Sequence, residues 1–227
     1  MRALIIEDDP NVAEAVSLCF QLRWPEINLV HETEGKKGVD VLKSKNVDIV
    51  ILDINLPDIS GFDVLKEVRT FSQVPVIILT VRDKEDEQVK GLEMGSDDYI
   101  VKPFKPRDLI ARVNSVLRRS SIARKTEQSP VISLGNISLN LTKNEVRIDD
   151  IVEKLTPNET QVLYTLMESP GTIVSSEQIS ESVWGRVFPD NNRVRTYVRR
   201  LRLKLKDNPI SLIRSKRGKG YAFYPPK

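Results

Sequence analysis

Cysteine is almost missing from this sequence: Cys19 stands alone, inside the apolar periodicity of AVSLCFQL. Disulfides and cysteine-based zinc sites are thereby excluded, and the one thiol is expected to be a small core residue. Long apolar runs are missing as well. No stretch approaches the roughly 20 apolar residues that cross a bilayer, and MRALIIEDDP passes from a short apolar run straight into three acids, unlike a cleavable signal. A cytoplasmic chain with no membrane partner is expected. Internal repeats and low-complexity segments are also lacking. The net charge is only +3 over 227 residues, 40% of them apolar and 30% charged, so the chain should fold, with length for one or two ordinary cores.

That small net charge hides an asymmetry. Residues 1–120 hold 17 Lys and Arg against 21 Asp and Glu, whereas the remainder hold 18 against 11. An acidic half is followed by a basic one, and the basic half suggests a polyanion as partner. Between them SSIARKTEQSP is polar, without apolar period, and ends at Pro130. The sequence therefore divides into residues 1–119, a linker at 120–130, and residues 131–227.

In the first half, short apolar runs alternate with helical patterns: RALII, a helix over about 10–22, INLVH, a helix over about 34–43, VDIVIL, a helix over about 60–71, VPVIIL, a helix over about 84–94, YIV, and a helix over about 106–119. Strands apolar at consecutive positions are buried on both faces, which predicts an α/β domain with a doubly wound five-stranded parallel sheet. Its chemistry then belongs at the carboxyl ends of the strands. The second half opens with β-rich segments VISL, NISLNL, EVRID and IVEKL, with turns at Gly135-Asn136 and Asp149-Asp150. Helical patterns follow over about 157–168, 176–183 and 191–206, and LIRSKRGKGYAFY reads as two strands around a basic turn.

The strand ends of the first half carry Glu7, Asp8 and Asp9, then Asp53 and Asn55, then Thr80, then Lys102 and Pro103. Crowded carboxylates repel one another unless a cation joins them, and hard oxygen ligands suit Mg²⁺. A carboxylate beside such an ion, with a hydroxyl and an ammonium nearby for phosphoryl oxygens, can act as a nucleophile, and Asp53 is best placed for that. Singly, these signals are ordinary: an acid pair before a helix is usually a cap, and a lysine before proline is usually solvated. Together, EDD at 7–9, LDINLPDISG at 52–61, LT at 79–80, GSDDY at 95–99 and KPF at 102–104 resemble a response-regulator receiver domain. The resemblance implies that Asp53 accepts a phosphoryl group from a sensor histidine kinase. It further implies that Asp8, Asp9, Asp53 and the Asn55 backbone carbonyl hold Mg²⁺ with Glu7 in support, that Lys102 contacts the phosphoryl group, and that Thr80 and Tyr99 form the switch. Val81 departs from the small residue common after the switch hydroxyl, and Gln88 from a basic residue common on the fourth helix.

In NNRVRTYVRRLRLKLK, residues Val194, Tyr197, Val198, Leu201 and Leu205 make one apolar stripe, with cations around it. Such a helix could simply be solvated, but the basic turn Arg214, Lys216, Arg217, Gly218, Lys219 adds a second cationic element and points to duplex DNA. Trp184, Leu163, Leu166 and Tyr221 read as core. LTPNETQVLYTLMESPG at 155–171, SSEQISESVWG at 175–185, VRTYVRRLRLKL at 194–205 and RGKGYAF at 217–223 resemble the winged-helix effector of OmpR/PhoB response regulators. By that resemblance the chain is a transcription factor and no enzyme beyond its own phosphoryl transfer and dephosphorylation. It implies double-stranded promoter DNA, RNA polymerase and, on phosphorylation, a second copy of the chain as partners.

Within the third effector helix, Arg193, Arg195, Thr196 and Arg199 are assigned to the major groove, with Arg195 and Arg199 reading bases, and Arg200, Arg202 and Lys204 to phosphates or the surface. On the wing, Arg217 is assigned to the minor groove and Arg214, Lys216 and Lys219 to the backbone. The implied dimer face carries Val89, Leu92 and Ala111 as its apolar patch, Asp98 paired with Arg112 of the second copy, Asp97 with its Arg119, and Asp108 with Lys90 standing in for the missing base at Gln88. Two alternatives stay open in the sequence: a Mg²⁺-dependent phosphatase or mutase, disfavoured because the nucleophile follows the third strand and no substrate domain remains, and a regulator that binds DNA without phosphorylation, disfavoured by the complete acid set.

Overall fold

Alternate side chains of a strand face opposite sides, so a strand with no polar position needs a helical layer on each side. A computed structural model describes residues 1–81, 85–122, 131–188, 192–207 and 212–226, with the side chains of 85–88 and 118–122 left aside. The chain divides into two compact units, Met1–Leu117 and Arg118–Lys227.

In the first unit the elements run β1 (Arg2–Ile6), α1 (Pro10–Arg23), β2 (Asn28–Glu32), α2 (Gly35–Ser44), β3 (Ile49–Asp53), α3 (Gly61–Phe71), β4 (Val76–Thr80), α4 (Glu85–Met94), β5 (Asp98–Val101) and α5 (Pro106–Ile122), whose last residues run past the boundary at Leu117. The sheet order is β2-β1-β3-β4-β5, all parallel. Ala3, Ile5, Ile49, Ile51, Ile77 and Leu79 point to one side, against Val16, Cys19 and Phe20 of α1 and Leu109, Val113 and Val116 of α5. Leu4, Ile6, Val50, Leu52, Val76 and Ile78 point to the other, against Val39 of α2 and Phe62, Val64, Leu65 and Val68 of α3. Cys19 is thus a core residue, and burial pushes its thiol up. One expectation needs correction. Residues 120–122, read as linker, continue α5: arginine and serine contain no helix breaker, so losing the apolar period does not by itself end a helix. Residues 123–130 lie outside the described residues.

The second unit begins with a four-stranded antiparallel sheet, β6 (Val131–Leu134), β7 (Ile137–Asn140), β8 (Glu145–Ile148) and β9 (Ile151–Lys154), paired in chain order. Its predicted turns sit where Gly135 and Asp149 take left-handed backbone, at φ 62° and 51°. Three helices follow, α6 (Pro157–Met167), α7 (Ser176–Trp184) and α8 (Asn192–Lys204), and then the hairpin β10 (Ile213–Lys216) and β11 (Gly220–Phe223). Capping boxes start α6, through Thr156 and Glu159, and α7, through Ser175 and Gln178. The stripe Val194, Tyr197, Val198, Leu201 and Leu205 is buried with Leu163, Leu166, Ile179, Val183, Trp184 and Phe223. This is a winged-helix arrangement, with Tyr221 only half-buried.

Candidate functional site

Strand register gathers the acids of the first unit. Ile6 pairs with Leu52 and Asp53 with Leu79, so β1, β3 and β4 end close together. Glu7 prolongs β1 by one residue, its N–H donating to the Glu32 carbonyl at 3.0 Å. Glu7 and Asp53 are buried while Asp8 is exposed, and their carboxylate oxygens lie within 4.8 Å of one another. The Lys102 ammonium reaches in from the end of β5, 2.7 Å from Glu7 Oε2 and 3.1 Å from Asp53 Oδ2. Asp53 Oδ1 accepts the Ile54 N–H at 2.8 Å. Burial pushes the Glu7 carboxyl above the ordinary range, and the neighbouring Asp53 adds to this against the pull of Lys102. A Cβ at Gly61 would overlap the Asp53 carbonyl oxygen, so the loop carrying Asn55 can fold back onto the end of β3 only with glycine there. Its N–H donates to the Ile54 carbonyl at 2.8 Å.

The acid set differs from the expected one. Asp9 is the N-cap of α1, its Oδ1 accepting the N–H groups of Asn11 at 2.8 Å and Val12 at 3.4 Å. Its Oδ1 is engaged by the helix, and the acids whose oxygens gather within 4.8 Å are Glu7, Asp8 and Asp53, where Asp8, Asp9 and Asp53 were expected. All three offer hard oxygens beside an ammonium, and this donor set fits Mg²⁺. Thr80 is buried at the end of β4, Val81 is 58% exposed beside it, and half-buried Tyr99 lies on β5 with the Arg112 guanidinium 5.8 Å from its ring centre.

The residues assigned to the dimer face are placed as follows in a single copy of the chain. Asp98 Oδ1 is held at 2.8 Å by Arg112 of its own chain. Asp97 is fully buried, accepting the Val76 N–H at 3.0 Å and facing Arg69 of its own chain at 3.3 Å. Leu92 is 3% exposed and belongs to the core. Ala111 and Asp108 are exposed and Val89 half-buried, while Lys90 lies 4.4 Å above the Phe62 ring. The side chains of Gln88 and Arg119 lie outside the described residues. Sequence reasoning missed Arg69, which also donates to the carbonyls of Gly95, Ser72 and Val74 and staples the end of α3 to the start of β5.

In the second unit a groove of about 510 Å³ opens between α8, the start of α7 and the hairpin turn. Arg195, Arg199, Arg202, Lys216, Arg217 and Lys219 line it, as do Ser176 and Glu177, which no motif or charge pattern singled out. Arg195 and Arg199 are exposed as expected. Arg193 and Thr196 are not: both are buried, and the Arg193 guanidinium is stacked 4.2 Å from the Phe188 ring centre and 5.6 Å from that of Trp184. Arg200 is buried on Glu159 at 2.7 Å, and Lys204 reaches the same carboxylate at 2.7 Å. Arg202 donates to the Ile213 carbonyl and Ser215 Oγ, tying α8 to the wing. Arg214 is stacked 4.4 Å from the Tyr224 ring centre.

Comparison with known proteins matches residues 3–114 to the response regulator receiver domain and residues 152–223 to the C-terminal domain of transcriptional regulatory proteins. The chain is 36% identical over 226 residues to the uncharacterized transcriptional regulatory protein YclJ of Bacillus subtilis, covering 98% of this chain and 99% of that one. It is 33% identical over 228 residues to the DNA-binding response regulator MtrA of Mycolicibacterium smegmatis, covering 99% and 97%. Among solved structures it resembles the response regulator DrrB, an OmpR/PhoB homolog from Thermotoga maritima, with 28% identity, a TM-score of 0.51 and 98% of both chains covered. Buried acids around one lysine, a cationic groove beside a wing, and relatives matched end to end lead to one conclusion: the chain belongs to the OmpR/PhoB family of two-component response regulators.

Proposed function

We propose that this response regulator takes a phosphoryl group on Asp53 from a sensor histidine kinase, dimerises, and then binds promoter DNA to regulate transcription in the cytoplasm. The observation that carries this reading is the Lys102 ammonium held between Glu7 and Asp53, with Asp8 at the mouth. An Asp53 oxygen attacks phosphorus, the bond from phosphorus to the kinase's imidazole nitrogen breaks, and the imidazole leaves with that electron pair. In this reading Lys102 neutralises charge on the phosphoryl oxygens, and the Thr80 hydroxyl, at the next strand end, binds one of them. Mg²⁺ held by Asp8, Asp53, Glu7 and the Asn55 carbonyl would supply further charge stabilisation. Phosphoryl binding at Thr80 would draw on Tyr99 and so alter the α4, β5 and α5 face, where Val89, Ala111 and Asp108 remain for a second copy. In the groove, Arg195 and Arg199 are the base readers, with Arg217 for the minor groove and Lys216 and Lys219 for phosphates. RNA polymerase is the expected downstream partner.

Intact-protein mass after incubation with acetyl phosphate and Mg²⁺ tests the chemistry. The wild type should gain one hydroxylamine-labile phosphoryl group and Asp53→Asn none. Wild-type labelling of Asp53→Asn would sink the assignment.

A further inference from the structure

Helix α8 is held from one side by polar groups as well as by its apolar stripe. The first turn of α6 is wholly buried, Pro157, Asn158, Glu159 and Thr160 alike. From it, Asn158 Nδ2 donates to the Tyr197 hydroxyl at 2.9 Å. Glu159 Oε1 lies 2.7 Å from Arg200 Nη2, and Oε2 accepts from Lys204 Nζ at 2.7 Å and from the Thr156 N–H at 2.8 Å. Lys204 also donates to the Lys154 carbonyl at 2.8 Å. Tyr197, Arg200 and Lys204 are spaced i, i+3, i+7, one face of the helix, whereas Arg195, Arg199 and Arg202, spaced i, i+4, i+7, line the groove.

These two kinds of contact constrain the helix differently. Apolar burial is non-directional and tolerates a roll about the helix axis. Hydrogen bonds do not, because their strength falls steeply with angle and distance, and the bonds from Asn158 to Tyr197 and from Lys204 to Glu159 are of this kind, with Arg200 adding a close charge. A roll of about 20° moves a side-chain tip about 6 Å from the axis by roughly 2 Å, and bidentate base contacts tolerate far less, about 0.5 Å.

We infer that Glu159, assisted by Asn158, is a positioning residue that sets the rotation of α8 and so decides which arginines meet the base edges. This rests on the reading of the groove as a DNA site. It assigns Glu159 to sequence discrimination, beyond whatever stability its ion pairs lend to the folded state and apart from general affinity. Buried ion pairs add little net stability over apolar residues of similar size, and fixing one arrangement among several is their best-attested use.

The test uses the full chain and two duplexes, one enriched from a random pool by the wild type and one of the same composition shuffled. In Glu159→Gln/Arg200→Met/Lys204→Met the ion pairs are removed and methionine fills the space of the two cations, while glutamine keeps the capping-box bond to the Thr156 N–H. This variant should melt cooperatively within a few degrees of wild type and bind shuffled DNA comparably, while its preference for the enriched duplex falls at least about tenfold. An unchanged preference would overturn the inference, and so would loss of cooperative melting, which would make the triad a stability element. A wild type that enriches no sequence would instead overturn the reading of the groove as a sequence-specific DNA site.

Discussion

Glu7 and Asp9 flank the exposed Asp8, yet they do opposite things. Glu7 still belongs to β1 and is buried against Lys102, whereas Asp9 has left the strand and caps α1. Three successive acids could not be told apart by composition. One signal was present: Pro10 follows Asp9, proline favours the first helical position, and the residue before it is then the cap. The difference is measurable by calorimetric Mg²⁺ titration. Glu7→Gln and Asp8→Asn should each weaken binding by about tenfold or more, as loss of a ligand or its supporting charge does, while Asp9→Asn should leave it within about twofold because asparagine caps as well as aspartate. Asp9→Ala should instead cost about 0.5–2 kcal/mol of stability. A loss of Mg²⁺ affinity in Asp9→Asn equal to that in Glu7→Gln would restore Asp9 as a ligand. Arg69 and Asp97 were harder to read, because their meeting depends on the α3 and β5 ends converging in space, 28 residues apart in the chain.

At the scale of elements, the apolar stripe of α8 was legible and the fate of its arginines was not. Periodicity separates apolar from polar positions, but a guanidinium can still be buried if rings or a carboxylate receive it. Arg193 is taken by Phe188 and Trp184, and Arg200 by Glu159 and the Tyr197 ring, partners invisible to a one-dimensional pattern. The two classes should separate in binding titrations. Arg195→Ala should cost about 1–3 kcal/mol on the preferred duplex and relax one base position, whereas Arg193→Ala should lower the melting temperature without changing base preference. The opposite pattern would mean that α8 presents a different face. Acid should expose Glu159 as well. Burial alone would raise its pKa, but the Arg200 and Lys204 charges and the Thr156 N–H hold it below the ordinary value of 4.5. Its contribution is therefore present above that value and lost as pH falls through the depressed folded pKa. The difference in thermal midpoint between wild type and Glu159→Gln should narrow as pH falls from about 5 to about 3, and a gap independent of pH would contradict this ionisation.

At the scale of the whole chain, both folds were legible because each rests on a periodicity along the sequence, consecutive apolar strands in one unit and amphipathic helices before a basic hairpin in the other. The charge division, 17 basic against 21 acidic residues in 1–120 and 18 against 11 thereafter, carries a consequence for binding. The acidic unit is covalently tied to the basic one, and wherever the tether brings it within a Debye length of a duplex it would add repulsion that the isolated effector unit would not present. Such repulsion acts over a Debye length, about 10 Å at 0.1 M salt and about 3 Å at 1 M, and it acts on every sequence equally, since phosphates carry no base information. Residues 131–227 alone should therefore bind a shuffled duplex more tightly than the full chain at about 0.05 M salt, with the two affinities converging toward about 0.3 M as screening sets in. The advantage should be the same on a preferred duplex under conditions where the full chain stays monomeric. Fluorescence anisotropy at four or five salt concentrations decides it. An advantage that persists undiminished at high salt would point to steric blocking in place of charge, and equal affinities at low salt would show that the acidic unit exerts no field on the duplex at all.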